Sequence, residues 1–204
     1  FHVTGRFVCQ ANLRPALSVQ EALANPQRDF SRVVLPPMSY LHEQDKINNR
    51  WPAAEKYIVQ HGLNEIFGPQ TAEVGIVCQG GMYNGVIRAL QRLGLADIYG
   101  ETTVPIYCLN VTYPLVNSEF LDFAKDKKGL LVIEEGQPEF TEQGLSTFLL
   151  RSKLTTALHG KDMLPMAGEY TGQVVLDGVT AFLRKYAPTA LPGKGRAPNH
   201  QKEE

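Results

Sequence analysis

From Ala72 onward, short apolar runs alternate with stretches of helical spacing, and this alternation narrows the fold more than any other feature of the chain. The runs are "VGIVC" (Val74 to Cys78), "VPIYCLNV" (Val104 to Val111), "LLVIEE" (Leu130 to Glu135) and a weaker "TTALHG" (Thr155 to Gly160). The first three are continuously apolar, as strands are when helices cover both faces of a mostly parallel sheet and no face is left to alternate with water. Helices are expected between them at Met82 to Leu93, Asn117 to Lys127 and Glu139 to Leu154, with a last one from Thr171 to Tyr186. Asn117 and Thr171 suit N-caps, because a short side-chain oxygen can accept a bond from a first-turn N–H. Gly94 and Gly129 stand where glycines stop helices.

Before Ala72 the pattern weakens. "FHVTGRFVC" and "RVVLP" read as short strands, and "WPAAEKYIVQHGLNEI" as a helix with Pro52 in its first turn. The expected division is an arm over residues 1–72, an α/β domain over 73–187 and a disordered tail over 188–204, where Pro, Gly and charge occur without apolar periodicity. Phe1 is not a start methionine and directly precedes strand-like residues, so the chain is expected to be a piece of something longer.

With 20 Lys and Arg against 21 Asp and Glu, nothing draws the chain to phosphate backbones or anionic lipid, and neither nucleic acid nor membrane is expected as a partner. No apolar run approaches the ~20 residues that span a bilayer. The three cysteines (Cys9, Cys78 and Cys108) are odd in number and not at metal-ligand spacings, so a soluble protein in a reducing, cytoplasmic setting is expected. Histidine clusters and H-x-x-H pairs are absent, and no metal site is expected.

Ligands of open α/β sheets gather at the C-terminal ends of the strands. Four strands bring candidates there: Cys78 with Gly80 and Gly81, Asn110 with Tyr113, Glu134 with Glu135, and His159 with Lys161. "CQGGMYNG" could cradle a phosphate at a helix N-terminus, making the chain a stand-alone nucleotide- or coenzyme A-binding module. It matches neither G-x-x-x-x-G-K-[ST] nor G-x-G-x-x-G, and the same glycines suit a plain tight turn. Alternatively, Cys78 on a strand-to-helix elbow could be the nucleophile of a hydrolase, with His159 as base and Glu134 as orienter. Ile76 stands where such an elbow has a glycine, and a buried structural thiol is the commoner fate of a cysteine that ends a core strand. Glu134 and Glu135, adjacent on a strand, point to opposite faces, which argues against a paired acid and base.

The order "GIVCQGGMYNGVIRALQRLG", "YCLNVTYPLVNSEFLDFAKDKKGLLVIEEGQPEFTEQ", "HGKDMLPMAGEYT" resembles the second domain of the thiamine-diphosphate-dependent 2-oxoacid:ferredoxin oxidoreductases, in particular the α chain of the indolepyruvate branch. The resemblance rests on Gly80 with Tyr83, Tyr113-Pro114-Leu115, Ile133-Glu134-Glu135 with Pro138, and Gly160-Lys161 with Pro165 and Gly168-Glu169-Tyr170. It implies a fold like the transketolase C-terminal domain: three α/β/α layers around a five-stranded, mostly parallel mixed sheet whose first strand is antiparallel. "RVVLP" would supply that strand, and "FHVTGRFVC" looks like the last strand of a preceding domain. The implied reaction of the whole enzyme is oxidative decarboxylation of an aryl 2-oxoacid to its acyl-CoA, with electrons delivered to ferredoxin. Its thiamine diphosphate and iron–sulfur clusters have no motif here: Gly-Asp-Gly followed by Asn is missing, cysteine runs are missing, and Gln79 stands where the family has serine. The resemblance therefore implies an assembly piece, inactive alone and packed on other domains or subunits in a homo- or hetero-oligomer, with Gly80, Gly81, Tyr83, Tyr113, Glu134 and Glu135 as positioning or interface residues.

Overall fold

The structure, a computed structural model, describes residues 2–3, 19–24, 26 and 35–191. Cys9, Arg32–Val34 of "RVVLP" and residues 192–204 of the expected tail lie outside them.

A five-stranded sheet has the order β2 (Glu65–Phe67), β4 (Ile106–Leu109), β3 (Val74–Gln79), β6 (Gly129–Ile133), β7 (Ala157–His159). β3, β4, β6 and β7 are parallel, and β2 runs antiparallel along β4 with Ile66 opposite Tyr107. This is the mostly parallel α/β sheet that the alternation of runs implies, with the antiparallel first strand that the family resemblance implies. Its antiparallel edge strand is not "RVVLP", whose Leu35 and Pro36 lie in a turn, but Glu65–Phe67. The helix read through "LNEI" stops early: α3 (Trp51–Gln60) ends at His61, and Gly62, at a φ of +54°, reverses the chain into the edge strand. The sheet thus begins upstream of residue 73.

α4 (Tyr83–Arg92) and α7 (Gly172–Tyr186) cover one face, packing on Ile76, Cys78, Ile106 and Leu131. α5 (Asn117–Ala124) and α6 (Phe140–Ser152) cover the other, packing on Val77, Tyr107, Leu130 and Val132. Both faces of β3 and β6 are buried, which explains their unbroken apolar runs. Each such Val, Leu, Ile or Phe contributes about 1.5–3 kcal/mol.

Thr171 caps α7, its hydroxyl accepting from the Val174 N–H at 3.4 Å. Asn117 does not cap α5; it is the first helical residue, and Val116 holds the cap position. Gly94 ends the turn after α4 at a φ of +71°. Gly129 stops no helix. It opens β6, where a Cβ would meet the Tyr186 ring at 3.0 Å, so glycine there serves a close approach between strand and helix.

The run expected as one strand over Val104 to Val111 divides at Asn110. Its amide donates to the Leu63 carbonyl at 3.0 Å and to Glu65 Oε2 at 2.7 Å, tying β2 to the strand end. The chain resumes as β5 (Val111–Tyr113), where Asn64 Oδ1 accepts from the Val111 N–H at 3.0 Å. The two-residue β1 (His2–Val3) pairs antiparallel with β5.

Candidate functional site

Order along the chain dictates where a ligand could enter. β3 leads through α4 to β4 on one side, and β4 returns through α5 across β3 to β6 on the other. The helices that follow the neighbouring strands β3 and β6 therefore leave on opposite faces, and a crevice opens at the C-terminal ends of these two strands. A groove of about 1070 Å³ lies there, with Gln79 and Glu134 from the strand ends and Trp51, Tyr113, Leu115, Phe140 and Phe148 as its apolar walls.

Glu134 is buried, 6% exposed, and reaches the N-terminus of α6. Both its oxygens accept from the Thr141 N–H at 3.0 Å, Oε1 also from the Thr141 hydroxyl at 2.7 Å, and Oε2 from the Glu142 N–H at 3.1 Å. The carboxylate thus caps a helix from the neighbouring strand end and offsets the positive end of its dipole. Glu135 turns the other way, as the alternation of a strand requires, and accepts from the Tyr170 N–H. Lys161 Nζ donates to the Glu134 carbonyl at 2.6 Å and the Tyr170 hydroxyl at 2.7 Å, tying the end of β6 to the loop after β7.

Tyr113 is 53% exposed and meets Trp51 edge-on, the ring centroids 5.0 Å apart. Trp51 Nε1 donates to Glu55 Oε1 at 3.1 Å, which fixes the indole at the lip of the groove. Tyr83 is elsewhere: it is buried against Phe67, centroids 4.8 Å apart, and lines a separate cavity of about 350 Å³ beside β2. Gly80 and Gly81 form a single 3₁₀ turn between β3 and α4; Gly80 is buried and Gly81 faces solvent with open space around its Cα.

Cys78, His159 and Glu134 are not brought together. Cys78 is fully buried, opposite Cys108 on the adjacent strand; a hydrogen bond with that thiol, burial and mutual repulsion push its pKa well up, so a thiolate is disfavoured. His159 stands two strands away, with Nδ1 at 2.5 Å from Asp162 Oδ2 and Nε2 at 2.7 Å from the Tyr186 hydroxyl. Glu134 is committed to α6. Among the described residues no cluster of His, Cys, Asp and Glu could hold a metal ion, and no helix is long and apolar enough to cross a membrane.

Of the groove's walls, sequence reasoning singled out Tyr113 and missed the others. Trp51 comes from the arm, Leu115 from the loop before α5, Phe140 from the exposed start of α6, and Phe148 from farther along that helix, partly buried against the core. The one available signal was Phe140, 69% exposed, an apolar residue outside the periodic core face of its helix.

The profile of the indolepyruvate oxidoreductase domain matches residues 64–176, from just before β2 into α7. This chain belongs to that domain family. It is 30% identical over 126 residues to the indolepyruvate oxidoreductase subunit IorA of Pyrococcus horikoshii, covering 62% of this chain and 18% of that protein. With IorA of Methanothermobacter marburgensis it shares 31% identity over 181 residues, 84% of this chain and 28% of the relative. The chain thus spans less than a third of the length of the curated relatives it matches. Among solved structures, the 2-oxoglutarate:ferredoxin oxidoreductase of Magnetococcus marinus aligns with a TM-score of 0.46 and 19% identity, over 73% of this chain and 24% of that one.

Proposed function

We propose that the chain is the second, transketolase C-terminal-like domain of an indolepyruvate-type 2-oxoacid:ferredoxin oxidoreductase, which converts an aryl 2-oxoacid to its acyl-CoA and passes electrons to ferredoxin. Its own role is assembly. The observation that carries this reading is the strand-end groove, which is broad and apolar while its buried carboxylate is already spent on the chain's own α6. A catalytic cleft keeps polar groups aimed at a reacting atom; a docking face does not need them.

The cofactors of such an enzyme do not fit the described residues. A diphosphate–magnesium pair needs clustered oxygen ligands, and no acidic cluster is present among them. An iron–sulfur cluster needs accessible thiolates, whereas Cys78 and Cys108 are sealed in the core. Thiamine diphosphate and the clusters are therefore assigned to other parts of the enzyme. Within this domain, Tyr113, Glu134 and Glu135 shape and brace the docking edge.

The test is native purification of the tagged chain from its source cell. The expected preparation contains thiamine-diphosphate- and iron–sulfur-bearing polypeptide, continuous with the chain or bound to it, and reduces a viologen dye with indolepyruvate and coenzyme A. A lone species near 22.6 kDa without that activity would overturn the reading. Calorimetric binding of coenzyme A to that species would then favour the stand-alone module.

A further inference from the structure

The cavity of about 350 Å³ beside β2 is bounded on one side by a loop that its own groups tie into a single shape. The loop is the stretch "DIYGE" between α4 and β4. Asp97 has a carboxylate short enough to bond the backbone just ahead of it, and its Oδ1 accepts from the Tyr99 and Glu101 N–H groups, both at 2.9 Å. The main chain closes the same turn: the Asp97 N–H donates to the Glu101 carbonyl at 2.9 Å, and the Gly100 N–H to the Asp97 carbonyl at 3.2 Å. Gln91 Nε2 reaches from α4 to that carbonyl at 2.7 Å, and Ala96 bridges to Thr102 at the base. The wall is thus formed before any ligand arrives, which lowers the ordering cost of binding.

Tyr99 and Glu101 of this loop line the cavity together with Phe67, from the end of β2, and Tyr83 and Asn84, from the first turn of α4. A Cβ on Gly100 would lie 3.5 Å from the Tyr83 hydroxyl, so the loop passes close against the start of the helix. Phe67 and Tyr83 lie ring against ring, tilted by 43°, and Tyr99 adds a third ring. Two features set the sign of charge that such a space accepts. Aromatic faces carry the negative end of the ring quadrupole and attract a cation within ~6 Å of the centroid. Among the described residues that line the cavity Glu101 alone carries a formal charge, and Asp97 sets a second carboxylate in the same turn. An anion is repelled by rings and carboxylates alike, and a cation is attracted by both.

We infer that this cavity binds a small alkylammonium cation, its charge set among the aromatic rings and against Glu101. The volume, at the lower end of small-molecule pockets, suits a ligand of a few heavy atoms and not a nucleotide or a peptide helix. Asn84 supplies a neutral amide, which can bond a ligand hydroxyl without adding charge. A quaternary ammonium suits the aromatic walls better than a primary one, because it brings no N–H donor that has to find an acceptor there. The cavity shares no lining residue with the strand-end groove, and its ligand is independent of the reaction proposed above.

The test is titration of the full, isotope-labelled chain with choline, followed by amide chemical shifts. Saturable shifts are expected at Tyr99, Gly100 and Glu101, with the indole N–H of Trp51, the chain's only tryptophan, unmoved in the groove. The neutral isostere 3,3-dimethylbutanol, which has choline's shape without its charge, is expected to bind at least about fivefold more weakly. Glu101→Gln should weaken choline by about fivefold, the worth of one charge pair ~4 Å apart in water, and Tyr99→Ala by about two- to fivefold. Added salt should weaken the wild type more than Glu101→Gln. Both substitutions lie at exposed positions and should leave the urea midpoint unchanged; should one of them unfold the chain, the other and the neutral isostere still decide. The proposal is overturned by an absence of saturable shifts, by equal binding of the isostere, by shifts confined to Trp51, or by an affinity that neither substitution moves. Any of these would leave the functional reading standing, since that reading is judged by co-purification and activity.

Discussion

The two faces of the sheet are built from the same materials and end differently. On the α4/α7 face, Phe182, Val179, Leu90 and Ile76 are sealed, and the helices lie against the strands along their length. On the α5/α6 face the core is as tight at Phe120, Phe123 and Leu145, but toward the strand ends it opens into the groove, where Phe140 and Tyr113 face outward. The first face is closed by its helices along the strands, and the second opens beyond Phe120 and Leu145 into the groove. A buried polar group marks the boundary: Glu134 caps α6 where the packing stops.

The largest effect expected from this contrast is at Phe182. Its replacement by alanine should cost about 3–5 kcal/mol in urea unfolding, whereas Phe140→Ala should stay within about 0.5 kcal/mol; comparable losses would show that the groove wall is core. Next is Glu134→Ala, which strands the Thr141 and Glu142 donors. A loss of about 2–3 kcal/mol is expected, together with faster amide exchange in the first turn of α6.

A pair of mid-helix glycines sharpens the comparison further. Gly178→Ala meets Leu164 Cδ2 at 2.3 Å on the sealed face and should cost about 1–2 kcal/mol net of the gain in helix propensity. Gly144→Ala meets Leu115, which can yield into the groove, so near-neutral stability is expected with a changed Trp51 emission.

Smaller still is the effect at Asp162. Burial raises its pKa, but the His159 and Gly160 hydrogen bonds outweigh that and leave it below the usual carboxylate range. A depressed folded pKa stabilises above the unfolded value and is lost as pH falls through the folded one. Asp162→Asn should therefore lower stability near neutrality, by less than about 1 kcal/mol for a half-exposed pair, and the difference should fade in acid. Finally, iodoacetamide should leave Cys78 and Cys108 unlabelled until the chain unfolds; rapid labelling of native Cys78 would revive the nucleophile.

The parallel strands and their helices were legible because burial on both faces writes itself into continuous apolar runs such as "VGIVC". β2 was not: three residues, Glu65–Phe67, leave no period to read, and the strand is held by Asn110 at the end of the neighbouring β4, some 45 residues away in sequence. Glu134 was singled out at the right edge, yet its role was hidden, because a cap supplied by a neighbouring strand leaves no local spacing such as the one that revealed Thr171. The groove's walls come from three separate stretches of sequence, at Trp51, at Tyr113 and Leu115, and at Phe140 and Phe148, and only packing brings them together.

The central position of β3 has a consequence during synthesis. Its two neighbours come later in the chain: β4 pairs Ile106 with Ile76, and β6 pairs Gly129 with Val74, about 55 residues downstream. At 5–20 residues per second, the ribosome leaves one side of an apolar strand without its partner for roughly 3–11 s. Throughout that interval the nascent chain exposes the kind of edge that other unfinished chains can join, and holding it open without aggregation is a task for chaperones rather than for the finished fold.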